Sequence, residues 1–246
     1  MTIFAQITDL HIDNEDPDLK QIDARANALA VLEVIQKQNI ERLIITGDIA
    51  ESSSGMDWFL DQINQRKFKF DLILGNHDDR QAYLERNGSG NPKTYSSVQF
   101  EGFLFLFLDS GENWIDQAQL AWIDEQISQT KQDVLIFVHH PVLNCGDSTM
   151  DKKYPLKNRD EVLKILVKAS QKLAIFSGHY HREEIVEARN IIQYVTPSTF
   201  CQIKKYSAEL EFESGSIGYR ILSIDQGNYE TKVMYLEPSN PTSTSV

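Results

Sequence analysis

Cysteine is scarce in this chain of 246 residues, which contains only Cys145 and Cys201. The two residues form no Cys-x-x-Cys pair, so we expect neither a disulfide framework nor a cysteine-based structural zinc site. Long apolar runs are also missing, since the longest, at residues 103–108, has six residues against the ~20 needed to span a bilayer. The first residues lack a basic segment followed by an apolar one. We therefore expect a cytoplasmic protein without a secretory signal and without a membrane partner.

Basic residues are too few to balance the acidic ones. The 24 Lys and Arg residues face 36 Asp and Glu residues, which gives a formal net charge of −12. A protein that follows a nucleic-acid backbone needs basic side chains to neutralise phosphates, so nucleic acid is not an expected partner. A phosphate-containing small substrate remains compatible with the acidic charge, because bound cations can reverse the local sign of a site.

Apolar strands and amphipathic helices alternate through the first part of the sequence. Strands are predicted at residues 3–7, 42–46, 70–74, 134–138 and 173–176, and helices at 23–38, 56–66, 80–86, 117–129 and 161–170. Residues 94–100 and 103–108 read as a hairpin around Glu101-Gly102, and residues 141–158 as a long loop. Mostly antiparallel strands are predicted after residue 183, at 185–188, 191–196, 209–213, 218–224 and 229–236.

This order of elements predicts an α/β protein with mixed β-sheets. No linker divides the chain, so we expect a single domain over residues 1–237. A flexible tail rich in Pro, Ser and Thr is expected at residues 238–246. The strand-rich segment from Ile185 onward could supply the surface of a homodimer.

All six histidines lie just past the end of a predicted strand, beside residues that can bind metal. In an open α/β sheet, ligands bind at the carboxyl ends of the strands. We therefore expect the five motifs that contain these residues to converge on one site. These motifs are Asp9-Leu10-His11, Gly47-Asp48, Gly75-Asn76-His77-Asp78, His139-His140-Pro141 and Gly178-His179-Tyr180-His181.

The spacing within two of the motifs favours metal binding. Asp9 and His11, like His179 and His181, are two residues apart, and extended backbone points alternate side chains to the same side. Imidazole and carboxylate together suit Zn, Mn or Fe better than Mg or Ca. We therefore expect each pair to present two ligands to one cavity.

The five motifs, in this order, resemble the motif set of the calcineurin-like metallophosphoesterases. The resemblance extends over residues 9–181, about 70% of the chain. Further segments are similar to the bacterial class III cyclic-nucleotide phosphodiesterases, namely residues 108–110, 119–122, 150–151 with Asn158, 196–198 and 218–220.

The resemblance implies a fold and a metal centre. The implied fold is a four-layer α/β/β/α sandwich, in which two mixed sheets pack together with helices on the outer faces. The implied first metal is held by Asp9, His11, Asp48 and His181, and the second by Asp48, Asn76, His139 and His179. The two ions would be Mn, Fe, Zn or Co, with Fe and Mn favoured.

The resemblance also implies a phosphoester hydrolase, in which a hydroxide bridging the two ions attacks phosphorus. His77 would be catalytic without binding metal, Glu51 would orient it, and Asn76 and His77 would contact substrate. His140 is either a group that faces the substrate or supports the metal ligands from behind, or just a packed histidine. The favoured substrate is a small phosphodiester, in particular a 3′,5′-cyclic nucleotide such as cAMP. The alternatives are a glycerophosphodiesterase, a broad phosphomonoesterase, and a non-catalytic scaffold with the same fold. The loops at 87–93 and 141–158 would shape the pocket.

Overall fold

The structure is a computed structural model that describes residues 1–86, 94–146 and 149–239. The expected pocket loop at 87–93 and most of the expected flexible tail, residues 240–246, lie outside the described residues. The strands are β1 (Thr2–Ile7), β2 (Arg42–Thr46), β3 (Lys69–Ile73), β4 (Ser96–Phe100), β5 (Phe103–Leu108), β6 (Val134–Val138), β7 (Leu173–Ser177), β8 (Glu184–Ala188), β9 (Ile191–Val195), β10 (Gln202–Ile203), β11 (Phe212–Glu213), β12 (Ile217–Asp225) and β13 (Asn228–Leu236). The helices are α1 (Ala24–Lys37), α2 (Ser53–Gln65), α3 (Arg80–Arg86), α4 (Gln117–Gln129), α5 (Thr149–Lys153) and α6 (Arg159–Leu166).

Two mixed sheets form the centre of the molecule. One has five strands in the order β13-β12-β1-β2-β3, and the other has six in the order β4-β5-β6-β7-β9-β8. β1, β2 and β3 are parallel to each other, and β5, β6, β7 and β9 form the parallel part of the larger sheet. A short two-stranded ribbon of β10 and β11 lies outside both sheets.

Three apolar clusters stack the sheets and helices into layers. The aromatic side of β5 (Phe103, Phe105 and Phe107) faces the first sheet, while Leu104, Leu106 and Leu108 face the outer helices. Because both faces of β5 are covered, its sequence is apolar without alternation. A third cluster joins α1 and α2 to the outer face of the first sheet. The predicted four-layer α/β/β/α arrangement is therefore confirmed.

Side chains of the preceding residues cap four of the helices, α1 to α4. In each case the side chain accepts a hydrogen bond from the backbone N three positions later, and the capping residues are Asp23, Ser52, Asp79 and Asp116. Such caps satisfy backbone donors that have no partner inside the helix. They fix where each helix begins after the loops that carry the site.

Several predicted elements need correction. Residues 141–158 are not a continuous loop, because α5 forms a short helix within them. The predicted strand at 209–213 is reduced to the two residues of β11, and the helix predicted at 161–170 begins at Arg159 and ends at Leu166. The late strands pair mostly antiparallel, as predicted, and β9 also pairs in parallel with β7. The residues around α5 are typical of turns, so the sequence did not predict this short helix. The parallel pairing of β9 with β7 depends on a crossover connection, which the local sequence pattern does not specify.

None of the described helices combines the length and the apolar character required to cross a membrane. The homodimer surface expected from Ile185 onward stays a prediction. The strand ends that carry the five motifs lie at one edge of the stacked sheets. Gln6 on β1 donates to the carbonyl of Ser177 on β7 at 3.4 Å, which shows how closely the two sheets approach there.

Candidate active site

The backbone turns sharply where each strand meets its motif. Asp9, His11, Asp48, His179 and His181 all have positive φ angles, between 46° and 65°. The expectation of extended backbone in the two alternating pairs is therefore wrong. Left-handed backbone costs roughly 1–2 kcal/mol per non-glycine residue, and such strain is concentrated at functional sites. The surrounding backbone hydrogen bonds, including Asp9 N to Gly47 O at 3.0 Å, hold this geometry.

Asp9, His11 and His181 form the first group of converging side chains. His181 Nε2 lies 3.3 Å from Asp9 Oδ1 and 3.1 Å from His11 Nε2. All three residues are buried. Their potential ligand atoms lie within 4.8 Å of one another, which is close enough to surround a single cation.

Asp48, His139 and His179 form a second group with the same close spacing. His139 Nε2 lies 3.2 Å from Asp48 Oδ2, and His11 Nε2 lies 3.8 Å from the same oxygen. Asp48 therefore contacts both groups. The structure thus separates His179 from His181, because each histidine belongs to a different group.

Each of the four histidines in these two groups is held by one ring nitrogen and offers the other to the cluster. His139 Nδ1 donates to Thr46 O at 2.7 Å, His181 Nδ1 to Cys201 O at 3.0 Å, and His179 Nε2 to Tyr154 O at 2.9 Å. The Nδ1 atom of the fourth, His11, lies 2.7 Å from Glu51 Oε1. Metal-binding histidines are held in this way, since the outer hydrogen bond fixes both tautomer and ring orientation.

Unpaired polar atoms show that the donor set fits cations. Among the described residues, the buried Asn76 Oδ1 has no hydrogen-bond partner, and His139 Nε2 forms no hydrogen bond beside its ionic contact with Asp48. The facing Nε2 atoms of His11 and His181 would both carry lone pairs if each Nδ1 is protonated. Buried polar groups are normally satisfied. Imidazole, carboxylate and amide donors directed at shared points suit transition-metal ions.

The pKa values of the buried groups reflect the same crowding of charge. Burial opposes charge on His139, yet the nearby carboxylates of Asp48 and Asp9 raise its pKa to about 9. Burial and the neighbouring His139 instead lower the pKa of His179 to about 3. Burial and Asp48 raise the pKa of Asp78 to about 7. Bound cations would neutralise the charge of these carboxylates in place of protons.

Glycine allows the motif loops to approach one another. A side chain at Gly75 would collide with the backbone and carboxylate of Asp48, and one at Gly178 would collide with Thr8 and Asp9. Only glycine fits at these two positions without displacing the groups that form the site.

His77 lies at the opening of the site, and Glu51 connects it to the buried groups. Its Nδ1 lies 3.0 Å from Glu51 Oε2, while the other oxygen of Glu51 contacts His11. The backbone N of His77 donates to Asp48 Oδ1 at 2.9 Å. The hydrogen bond that the His77 ring donates to Glu51 outweighs partial burial and raises the pKa of His77. His77 thus contacts the carboxylate that was expected to orient it, while the roles of both residues stay predictions.

His140 does not face the cavity. It is completely buried, and its ring packs against His179 with centroids 4.2 Å apart. Its ring nitrogens contact Ser110 Oγ at 2.9 Å and Asn113 Oδ1 at 3.2 Å. Burial and the adjacent His179 and His139 hold its pKa well below the usual value. The predicted substrate contact is therefore corrected in favour of the packed alternative.

A cavity of about 340 Å³ opens above the two groups. We call the seven predicted ligands the polar floor, namely Asp9, His11, Asp48, Asn76, His139, His179 and His181. Five of them line one side of the cavity, while Asp9 and His139 are fully buried behind the other five. The other side is the apolar wall, which consists of Leu19, Met150, Tyr154, Phe200, Ile203, Leu210 and Phe212. The wall residues come from loops, α5 and the β10–β11 ribbon.

The sequence alone points to Asp78 and to the segment that contains Ser198 but assigns neither residue a role in holding the floor in place. Asp78, part of a recognised motif, accepts hydrogen bonds from the backbone N of Ile49, Ala50 and Gly75 at 2.7–3.1 Å. Ser198 donates to Asp9 O at 2.7 Å. The signal for Asp78 was its place in the motif, whereas the contact of Ser198 joins residues 189 positions apart.

Comparison with known proteins agrees with this geometry. A model of the family described as calcineurin-like phosphoesterase matches residues 3–183. The chain is 30% identical over 237 residues to a probable cyclic nucleotide phosphodiesterase of Fibrobacter succinogenes, covering 94% of this chain and 93% of the relative. It is 23% identical to the glycerophosphodiester phosphodiesterase GpdQ of Enterobacter lignolyticus, covering 82% of this chain and 78% of that protein. A dimetal phosphatase structure from Danio rerio has the same fold, with a TM-score of 0.66, 15% identity and coverage of 97% and 99%.

Proposed function

The chain belongs to the calcineurin-like phosphoesterase family and is a metal-dependent phosphoester hydrolase, and we propose that it hydrolyses a 3′,5′-cyclic nucleotide such as cAMP. The observation that carries this proposal is the two-sided cavity. A polar floor that suits cations faces an apolar wall in a space of about 340 Å³. A substrate that fits both sides has an anionic phosphodiester at one end and a flat, weakly polar group at the other.

The apolar wall favours a nucleotide over a glycerophosphodiester. Tyr154 and Phe212 are partly exposed aromatic residues of the wall, and Phe200 lies deeper beside His11 with ring centroids 5.6 Å apart. Stacking of a base on an aromatic side chain contributes roughly 1–3 kcal/mol. A glycerol group offers no comparable apolar surface. The probable cyclic nucleotide phosphodiesterase of Fibrobacter succinogenes supports the same choice through its similarity.

The proposal assigns two cations to the polar floor. Asp9, His11, Asp48 and His181 would hold one ion, and Asp48, Asn76, His139 and His179 the other. Bound cations would neutralise phosphate oxygens and activate water for attack on phosphorus. Asp48 would be shared, in agreement with its contacts to histidines of both groups.

His77 and Asn76 would act on the substrate. His77 is exposed at the cavity, and its backbone N is anchored on Asp48. Its raised pKa favours the protonated ring, which can donate a hydrogen bond to the phosphate or a proton to the leaving oxygen. Glu51 would keep the ring in this orientation, and Asn76 would contact the phosphate beside it.

A panel of substrates tests the proposal. The Mn-loaded protein is assayed with cAMP, bis-p-nitrophenyl phosphate, glycerophosphodiesters and phosphomonoesters, and values of kcat/KM are compared. We expect the highest value for the cyclic nucleotide. Hydrolysis of a glycerophosphodiester or a phosphomonoester without turnover of any cyclic nucleotide would contradict it. Binding of metal without hydrolysis of any ester would instead support the scaffold alternative.

A further inference from the structure

Ser198 lies beneath the first group of the polar floor and contacts two parts of it. It follows β9 and is completely buried. Its Oγ donates to the carbonyl of Asp9 at 2.7 Å. The same oxygen accepts hydrogen bonds from the backbone N of Phe200 at 2.8 Å and of Cys201 at 3.2 Å. One side chain therefore joins the Asp9 loop to the segment 200–201.

The hydrogen bond between Cys201 N and Ser198 connects Ser198 to His181. The carbonyl of Cys201 accepts the hydrogen bond from His181 Nδ1 at 3.0 Å, which leaves Nε2 directed at Asp9 Oδ1, 3.3 Å away. Ser198 thus fixes the backbone of Asp9 and, through Cys201, the ring of His181. Asp9 also has a left-handed backbone, with φ of 52°, so its carbonyl direction depends on its hydrogen-bond partners.

We infer that Ser198 is a positioning residue for the first of the two cation positions, an inference that rests on the proposed binuclear centre. It acts by holding Asp9 and His181 at the separation that one ion requires. Outer groups of this kind orient the ligands of metal sites, and their loss lowers metal affinity.

Replacement of Ser198 should weaken cation binding at the first position and not at the second. At the second position, His139 is held by Thr46 O and His179 by Tyr154 O, and neither of these hydrogen bonds involves Ser198. A purely structural role would instead lower the overall stability of the protein without distinguishing between the two positions. The ratio of the two metal affinities therefore separates positioning from general stabilisation.

Each position can be measured alone with a second substitution. The variant His139→Ala disrupts the second position and reports Mn²⁺ binding at the first, while His11→Ala does the reverse. In the His139→Ala background, adding Ser198→Ala should weaken Mn²⁺ binding roughly 10- to 100-fold in a calorimetric titration. In the His11→Ala background the same change should leave binding unaltered.

Ser177 provides a matched control. It is also completely buried, it ends β7 just before Gly178 and His179, and its Oγ has no hydrogen-bond partner in the described part of the chain. Ser177→Ala should leave both affinities unchanged. Ser198→Cys keeps the shape of serine with only a weak donor, and it replaces the alanine variant if that protein does not fold. It should shift binding in the same direction by a smaller factor.

The inference would be overturned if Ser198→Ala lowered the Mn²⁺ affinity equally at both positions. It would also be overturned if Ser177→Ala lowered the affinity as much as Ser198→Ala does. Unchanged affinity at the first position in both Ser198 variants would overturn it as well. Wild-type protein that binds fewer than two ions would reject the proposed binuclear centre itself. The inference can therefore fail while the proposed function stands, because these titrations do not depend on which ester is hydrolysed.

Discussion

The polar floor and the apolar wall of the cavity are built in different ways. Floor residues follow strands of both sheets, and hydrogen bonds to strand-end or loop carbonyls and to Glu51 fix their rings. Wall residues come from the loop before α1, from α5 and the residue after it, from the loop between β9 and β10, and from the small β10–β11 ribbon. Since loops vary more easily than strand ends, the difference suggests that the floor sets the chemistry and the wall sets the substrate.

The largest effect should follow from breaking the floor at Asp48. Asp48→Asn removes the carboxylate that contacts both groups, so both cation positions should weaken together. We expect kcat/KM to fall by more than the roughly 10²- to 10³-fold that loss of one charge-stabilising donor costs. Metal content and hydrolysis of bis-p-nitrophenyl phosphate measure the change. Asp16 lines the same cavity outside the floor, and Asp16→Asn should retain both ions.

His77→Ala should separate catalysis from metal binding. The ring of His77 lies at the opening, and Glu51 and the backbone contact to Asp48 position it. Its removal should lower kcat by about 10²- to 10⁴-fold, the usual contribution of a general acid. Both ions should remain bound, as metal analysis of the purified variant would show. Full activity in His77→Ala would exclude it from the reaction.

The floor could be anticipated from sequence because its signals are local. Each motif follows an apolar strand, and the carboxyl ends of parallel strands meet at one edge of a sheet. Short segments such as Asp9-x-His11 therefore specified which residues would meet, although the left-handed backbone at these residues was not anticipated. The layered fold was predictable for the same reason, since strand and helix periods alternate along the chain.

The wall could not be anticipated, because its members share no local pattern. Leu19 and Phe212 both line the cavity although 193 positions separate them in the sequence. The strand predicted at 209–213 shortens to a two-residue pairing with β10, and this pairing brings Leu210 and Phe212 to the cavity. The burial of His140 has a similar cause, since its partners Ser110 and Asn113 come from a separate loop.

A change in the wall should affect substrate choice and leave the chemistry intact. Phe212→Ala removes a partly exposed aromatic ring from the wall. We expect KM for cAMP to rise by about tenfold, the order of one lost stacking contact, while kcat for methyl p-nitrophenyl phosphate stays the same. Tyr206 is an exposed aromatic between β10 and β11 that does not line this cavity, so Tyr206→Ala is the control. An equal change in the kinetic constants for both substrates would show that the wall does not determine which substrate is preferred.

The smallest expected effect concerns Glu51, which lies where the floor meets the opening. Burial opposes the charge of Glu51, but hydrogen bonds from His11 and His77 lower its pKa to about 2, so it is ionised at neutral pH. The hydrogen bond to this carboxylate raises the pKa of His77. Because His77 must be protonated to donate, activity should fall as pH rises through that pKa.

Glu51→Gln should therefore move the alkaline limb of the kcat/KM profile to lower pH, since the neutral amide no longer stabilises the charged ring. A second groove beside the cavity is lined by Glu15 together with Glu51 and His77. Glu15 has no hydrogen bond to His77 in the part of the chain that the structure describes. Glu15→Gln should leave the limb in place, which separates the hydrogen bond from a general loss of negative charge. A limb that moves to higher pH, or that moves equally in both variants, would show that Glu51 does not set the protonation of His77. In that case the carboxylate would serve only the floor, through its 2.7 Å contact with His11.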